Sequence, residues 1–267
     1  MRTICAFIVI GFQTAFGGFG QRDAGARAIA LGGAYVGLAN DVWSLRCNAG
    51  GLSQLTTNEA SFFYSPQPFG LRELSFAEAA IALPTSIGVI GLSGTASGFS
   101  LYRELTASIA FARSISGVGV GAAMTYYSVT IKNYGAANTF GIDAGVHVQI
   151  VPGLRSGIAV KNINRPTIGV AREPLPQRFS IGLGYTPIQS MTLVADYQKE
   201  AGFNPSTSIG FEYWVMESLG LRGGISEEPP QSSAGVSVKH AFLQFDYAFS
   251  HHQDLGWSHH GSITVRW

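Results

Sequence analysis

Apolar residues recur at every second position through most of this chain beyond Thr56, and that period admits few folds. Phe140, Ile142, Ala144, Val146, Val148 and Ile150 share one face of an extended segment, with Gly141, Asp143, Gly145, His147 and Gln149 on the other. Phe179, Ile181, Leu183 and Tyr185 oppose Arg178, Ser180, Gly182 and Gly184 in the same way; Ile209, Phe211, Tyr213 and Val215 oppose Ser208, Gly210 and Glu212. Leu243, Phe245, Tyr247 and Phe249 oppose Gln244, Asp246 and Ala248, and the pattern persists to Ile263, Val265 and Trp267. Period two is the signature of a strand whose faces meet unlike media. A soluble sandwich would also alternate, but it must coat its outside with charge. Only 12% of this chain is charged, against about 25% in an ordinary soluble domain. Past the N-terminus there is no uninterrupted apolar run of the roughly 18 residues that a membrane-spanning helix needs. An apolar exterior without long apolar runs predicts an all-β fold, a transmembrane antiparallel β-barrel with lipid outside and polar or small residues inside.

The segments predict about fourteen strands, near 59–65, 71–83, 87–97, 102–114, 117–131, 139–150, 154–161, 177–185, 191–199, 207–215, 219–225, 231–239, 243–250 and 258–267. Within 191–199 the alternation holds only if Val194 is accepted inside. An even count suits a bacterial single-chain barrel. Brief connections (84–86, 115–116, 151–153, 186–190, 216–218 and 240–242) alternate with generally longer ones, of which 162–176 is the longest. Such barrels have short periplasmic turns and longer outer loops, so the parity predicts an outer-membrane location with both termini periplasmic. Tyr126, Tyr197, Tyr247 and Phe249 fall toward the outer strand ends, and Tyr185, Tyr213 and Trp267 toward the inner ones, as interfacial girdles do.

At the N-terminus Arg2, the apolar stretch from Ile4 to Phe16 and the small-x-small Ala15-Phe16-Gly17 read as an export signal cleaved after Gly17. The expected organisation is a signal peptide over 1–17, a plug segment over 18–56 and a barrel over 57–267. Cys5 would leave with the signal, and Cys47, alone in the mature chain, can form no internal disulfide and reads as a small packing residue. A net charge of +1 offers no field for gathering nucleic acid.

The segment from Gly25 to Leu52 does not alternate. It runs Gly-Ala-Arg-Ala-Ile-Ala-Leu-Gly-Gly-Ala-Tyr-Val-Gly-Leu-Ala-Asn-Asp from Gly25 to Asp41, then Asn48-Ala49-Gly50-Gly51-Leu52. This resembles the opening of the PorV/PorQ family within the superfamily of FadL-like fatty-acid channels. There, a Gly-Ala-Arg…Gly-Gly-Ala stretch and an Asn-Pro-Ala-Gly-Leu element form a small helical plug. Ala49 stands where that family has proline and Gly50 where it has alanine, which implies a less rigid backbone. Tyr213-Trp214-Val215, Leu219 to Gly224, Asp246 to Ser250 and the terminal Trp267 resemble the same family's closing strands. The resemblance implies plug roles for Arg27, Gly32, Gly33, Asp41, Asn48 and Gly51. Trp267 is similar to the terminal aromatic signal read by the outer-membrane assembly machinery.

No catalytic constellation emerges. There is no Gly-x-Ser-x-Gly element, and Ser237 and Lys239 lack Ser-x-x-Lys spacing; nothing near Cys47 in sequence supplies a base. Four of the six histidines, His251, His252, His259 and His260, sit around one hairpin, but adjacent pairs on a strand point to opposite faces, so no metal or other cofactor is expected. The inward polar set of Glu78, Asp143, His147, Arg178, Asp196, Glu212, Lys239 and Asp246 forms the candidate lumen lining, and its mixed signs favour a salt-bridged interior over a single-sign ion pathway. Alternating small residues, Gly117, Gly119 and Gly121 with Gly182 and Gly184, leave room for something inside. Two functions stay open: a channel for small hydrophobic molecules, as the superfamily resemblance implies, or a scaffold barrel partnering proteins of a type IX secretion-like system. Bilayer lipid, and a hydrophobic small molecule or secretion proteins, are the implied partners.

Overall fold

Backbone amides and carbonyls facing lipid have no water to bond, so a sheet in a membrane must close on itself. This one does. The computed structural model describes Phe19, Gly20 and residues 25–267, and the expected signal peptide lies outside the described residues. Fourteen strands form the closed barrel: β1 (Glu59–Ser65), β2 (Phe76–Thr85), β3 (Gly88–Gly98), β4 (Tyr102–Ile115), β5 (Val118–Ile131), β6 (Gly135–Val151), β7 (Leu154–Lys161), β10 (Arg178–Ile188), β11 (Met191–Glu200), β12 (Ser206–Met216), β13 (Leu219–Ser226), β14 (Gln231–His240), β15 (Leu243–His252) and β16 (Gly256–Arg266). The β7–β10 connection carries a small separate hairpin of β8 (Thr167–Ile168) and β9 (Glu173–Pro174). Every barrel strand pairs antiparallel with its neighbour, and β1 closes against β16, with Glu59 opposite Arg266. Asn58 and Trp267 exchange two backbone hydrogen bonds of 3.1 Å beyond that last pair.

The six connections at the end bearing Asn58 and Trp267 are all two-residue turns, whereas the seven at the opposite end hold 3 to 16 residues. Ser116 and Gly117 form one such turn at φ +50° and +84°, the left-handed pair that matches the twist of a tight hairpin. Gly117 therefore lies in the turn and not in the wall with Gly119 and Gly121. Strand β2 begins at Phe76 instead of near 71, because Pro68–Gly70 and Arg72–Leu74 take up 3₁₀ turns. Strand β6 begins earlier than its alternation, since Gly135 to Thr139 pair with Tyr127 to Ile131.

Alternation sorts the faces as the sequence reading expects. Phe140, Ile142, Val146, Phe179, Leu183, Phe211 and Phe245 are exposed on the outer wall, and Asp143, His147, Asp196, Glu212 and Asp246 are buried inside. Val194 is 3% exposed, turned inward between Gly184 and Gly210 on the flanking strands. The interior is filled by α1 (Ala26–Ala30), α2 (Ser44–Cys47) and a 3₁₀ turn (Ala49–Gln54) with their connections. Leu31, Leu38, Val42, Trp43 and Leu52 of this insert pack on Phe63, Phe76, Ala80, Ala82, Val89, Ala110 and Ala112, and Cys47 packs against the same cluster. The inner wall is thus alanine-rich along β2 to β4 and charged along β11 to β15.

A closed barrel resists detergent unfolding until heated. Unheated and boiled samples are expected to migrate differently on a denaturing gel; equal mobility, with solubility in buffer free of detergent, would contradict the fold.

The plugged lumen as candidate functional site

The wall is shaped to the insert at backbone level. An added Cβ at Gly121 would lie 2.5 Å from the Ala49 carbonyl carbon, and one at Gly210 2.5 Å from the Leu31 oxygen. At Gly224, Gly157, Gly145 and Gly182 it would meet Leu31, Val36, Asn48 and Gly37 or Asp196 closer still. From the other side, Gly32, at φ +71°, would place a Cβ 2.7 Å from the Ile225 nitrogen. The room left by small inward residues is therefore a seat for the plug. It is not a free path along the wall. Gly51 is needed within the plug, where a Cβ would strike Ala39, and Gly33, at φ +81°, faces the cavity above.

Charge fixes the plug in that seat. Arg27 of α1 makes a two-pronged pair with Glu212 of β12, Nε to Oε2 and Nη2 to Oε1, each 2.8 Å. Its Nη1 donates to the Asn40 side chain at 2.8 Å, to Asp41 at 3.1 Å and to the Tyr35 hydroxyl at 3.0 Å. Tyr35 in turn donates to Asp41, whose other oxygen accepts from the Trp43 amide. Burial pushes the Tyr35 phenol up, so it stays a donor, and although burial opposes the Arg27 charge, Glu212, Tyr35 and Asp41 hold that guanidinium well above its ordinary value. Glu212 also receives Arg222 at 2.6 Å, and Arg222 reaches Asp246 at 2.7 Å. Asp246 accepts from Ser237 and Gln244, Gln244 accepts from Arg266, and Arg266 pairs with Glu59 at 2.6 Å. Glu59 then returns to the plug by accepting the Val42 amide at 2.9 Å.

The remaining sequence candidates separate into three groups. Asp196 accepts the amides of Tyr35 and Val36, both at 2.7 Å; His147 contacts the Gly37 carbonyl at 3.1 Å; Glu78 pairs with Arg46 of α2 at 3.2 Å. Asn48 caps the 3₁₀ turn through Gly50 and donates to the carbonyls of Val36 and Val146, holding this turn of the plug against β6. Asp143 instead accepts from the Asn162 amide and so anchors the β7–β10 loop. Arg178, bonded to Gln198 at 3.2 Å, lines the cavity at the long-loop end, and Lys239 sits at the opposite end with its Nζ 3.6 Å from the Trp214 ring centroid. Sequence reasoning missed Arg222, Glu59, Arg266, Tyr35 and Arg46. Arg222 and Arg266 share the inward parity of their strands and were findable; Tyr35 and Arg46 lie where no alternation applies.

The histidines do not converge. His259 meets the Tyr247 hydroxyl at 2.6 Å on the outer wall, His260 stacks on Phe63 inside, His251 packs on Trp257, and His252 accepts from the loop amides of Asp254 and Leu255. Among the described residues, two cavities border the lumen above the plug. One of about 710 Å³ is bordered by Gly32, Gly33, Pro176, Arg178, Glu200, Phe203 and Pro229, among others. A smaller one of about 60 Å³ reaches Phe19, Arg46, Tyr127 and Lys161.

A closed fourteen-strand antiparallel barrel with short N-terminal helical segments inside is the FadL/TodX-like class of fold. No protein-family profile matches the chain, and no curated protein matches it in sequence. In three dimensions it is similar to the Pseudomonas putida toluene transporter TodX, with a TM-score of 0.65 over 92% of this chain and 97% of that one at 13% identity. A Pseudomonas aeruginosa FadL homologue gives 0.60 over 91% and 98% at 11% identity. The Acinetobacter baumannii outer membrane protein Omp33 gives 0.52 over 79% and 98% at 8%. At such identities the likeness is one of fold.

Two substitutions probe the seat. Glu212→Gln removes the carboxylate that Arg27 and Arg222 share, leaving them Asp41 and Asp246, and removing one partner of a buried pair costs about 3–5 kcal/mol; Arg27→Met leaves Glu212 with Arg222 and is expected to cost less. Denaturant unfolding of the two variants checks the order. Gly224→Val is expected to dislodge the plug without opening the barrel, seen as raised ion conductance in planar bilayers with the heat-modifiable band retained.

Proposed function

We propose that the chain is a bacterial outer-membrane channel for small hydrophobic molecules, exported by the signal over 1–17, with both termini periplasmic and its plug gating the lumen. The observation that carries this is the cavity of about 710 Å³ resting on the plug at Gly32 and Gly33, within a fold similar to that of a toluene transporter. That volume falls inside the roughly 300–1,000 Å³ typical of small-molecule pockets. In this reading Glu212, Asp246, Asp196, His147 and Glu78 hold the plug closed, Arg178 borders the ligand's way in, and Lys239 borders its way out. Trp267 serves barrel assembly, and lipid surrounds the outer wall. Deletion of the chain is expected to slow cellular uptake of labelled toluene several-fold, and the barrel isolated in mild detergent to carry hydrophobic ligand by mass spectrometry. Unchanged uptake together with an empty barrel would refute the proposal.

A second reading, a PorV/PorQ-like scaffold for a secretion system, is favoured by one feature: five of the seven long-end connections hold only 3 to 5 residues, leaving little chain to build a capturing vestibule. Affinity capture from native membranes that recovers a secretion component would favour it.

A further inference from the structure

On β16 the outward parity of Trp257, His259 and Ile263 puts Gly261 on the lipid side of the wall. Its cross-strand partners are Tyr64 of β1 and Tyr247 of β15. One row nearer the short-turn end, Phe62, Ile263 and Phe245 lie abreast, all exposed. Nothing comes within 4 Å of where a Gly261 Cβ would stand. The wall is therefore indented here. A hollow of about 320 Å³ is bordered by Phe62, Tyr64, Phe245, Tyr247, His259 and Ile263, with the Gly261 backbone as its floor.

Another outward glycine is treated differently. Gly223 of β13 is covered by its partner Phe211, whose ring would lie 2.7 Å from an added Cβ. A cross-strand aromatic folded over a glycine restores the apolar contact that the missing side chain leaves out. Tyr247 is placed to do the same for Gly261 and does not. Its hydroxyl lies 2.6 Å from Nδ1 of His259, and the two rings stack with centroids 6.2 Å apart and planes at 23°. That bond holds the tyrosine beside His259 and leaves the glycine bare.

The same bond fixes a proton. Among the described residues the Tyr247 hydroxyl has no other acceptor, so it donates to Nδ1, and the neutral imidazole then carries its hydrogen on Nε2. For Nε2 the described residues supply no acceptor, and His259 is exposed on the lipid side. A donor turned toward lipid and left unbonded costs free energy. Aromatic belts such as Tyr64, Tyr247 and Trp257 sit at the headgroup level, where the carbonyls that head the acyl chains are acceptors. A second barrel fits this place poorly. Two convex walls meet along a line, whereas a narrow hollow takes a flexible chain.

We infer that the hollow binds one lipid of the leaflet at the long-loop end: an acyl chain lies over Gly261 between Tyr64 and Tyr247, and the carbonyl at its head accepts from Nε2 of His259. The chain spans β15, β16 and β1, across the seam where the sheet closes. A ligand that binds only the closed barrel stabilises it by mass action. The site is on the outside of the wall and is independent of what the lumen carries.

The test uses the full chain in mild detergent, shown folded by heat-dependent gel mobility. The probes are palmitoyl-oleoyl phosphatidylethanolamine and its diether analogue, which lacks the acyl carbonyls. Native mass spectrometry is expected to show one ester lipid held about fivefold more tightly than the ether, the worth of one hydrogen bond. Gly261→Leu fills the hollow and is expected to lose that lipid; His259→Phe keeps a ring and is expected to bind ester and ether alike. The ester lipid is also expected to raise the midpoint of thermal unfolding, followed by circular dichroism, in the native barrel and not in Gly261→Leu. The ester and ether comparison needs no substitution, so it decides even where a variant fails to fold. Equal affinity for the two lipids, unchanged binding by Gly261→Leu, an ester preference that survives His259→Phe, an unmoved unfolding midpoint, or a dimer that Gly261→Leu dissociates would each overturn the inference.

Discussion

Closure of the sheet governs everything inside it. Lipid offers the backbone no hydrogen-bond partner, so β1 must find β16 across almost the whole chain, and Glu59 meets Arg266 at a sequence separation of 207. Once closed, fourteen strands enclose more volume than inward side chains as small as glycine, alanine and serine can fill. Something else must occupy that volume, and the plug supplies it.

The plug has little structure of its own. Helices of five and four residues are far below the length at which isolated helices are stable. Its conformation is imposed by the wall, through two kinds of complementarity. Wall glycines let plug backbone approach to contact distance, and wall carboxylates capture its donors: Glu212 takes Arg27, Asp196 takes the amides of Tyr35 and Val36, Glu59 takes the amide of Val42. Buried ion pairs are weak as sources of stability but expensive to break singly. An arrangement of linked pairs such as Arg27–Glu212–Arg222–Asp246 therefore selects one seat for the plug over near alternatives more than it strengthens the barrel.

The chain's polarity follows the same logic. Linked charged pairing runs from Arg27 of the plug through Glu212, Arg222 and Asp246 of β12, β13 and β15, while the alanine-rich inner face of β2 to β4 packs apolar plug residues and adds the Arg46–Glu78 pair. The cavities open at the long-loop end, where the insert no longer fills the lumen and where the fold places Phe19, Arg178 and the β8–β9 hairpin. The free space lies at the end where the connections are long enough to shape it.

The sequence alone determined the strands, their faces and the parity of their connections, because alternation and turn chemistry are local. Phe140 faces out and Asp143 in whatever the rest of the chain does, and Val194 could be read as inward from its neighbours alone. It also marked Arg27, Asp41, Asn48 and the glycines from 32 to 51 as a segment of another kind. Only the tertiary structure decided which inward residues meet. Arg27 and Glu212 lie 185 positions apart, and nothing in either neighbourhood specifies the other. Barrel closure sets strand register, register sets which inward side chains share a level, and the plug's path sets which of them it touches. For that reason Glu212 emerged as a plug anchor, Asp143 as a loop anchor and Lys239 as a partner of Trp214, although in sequence the three read alike.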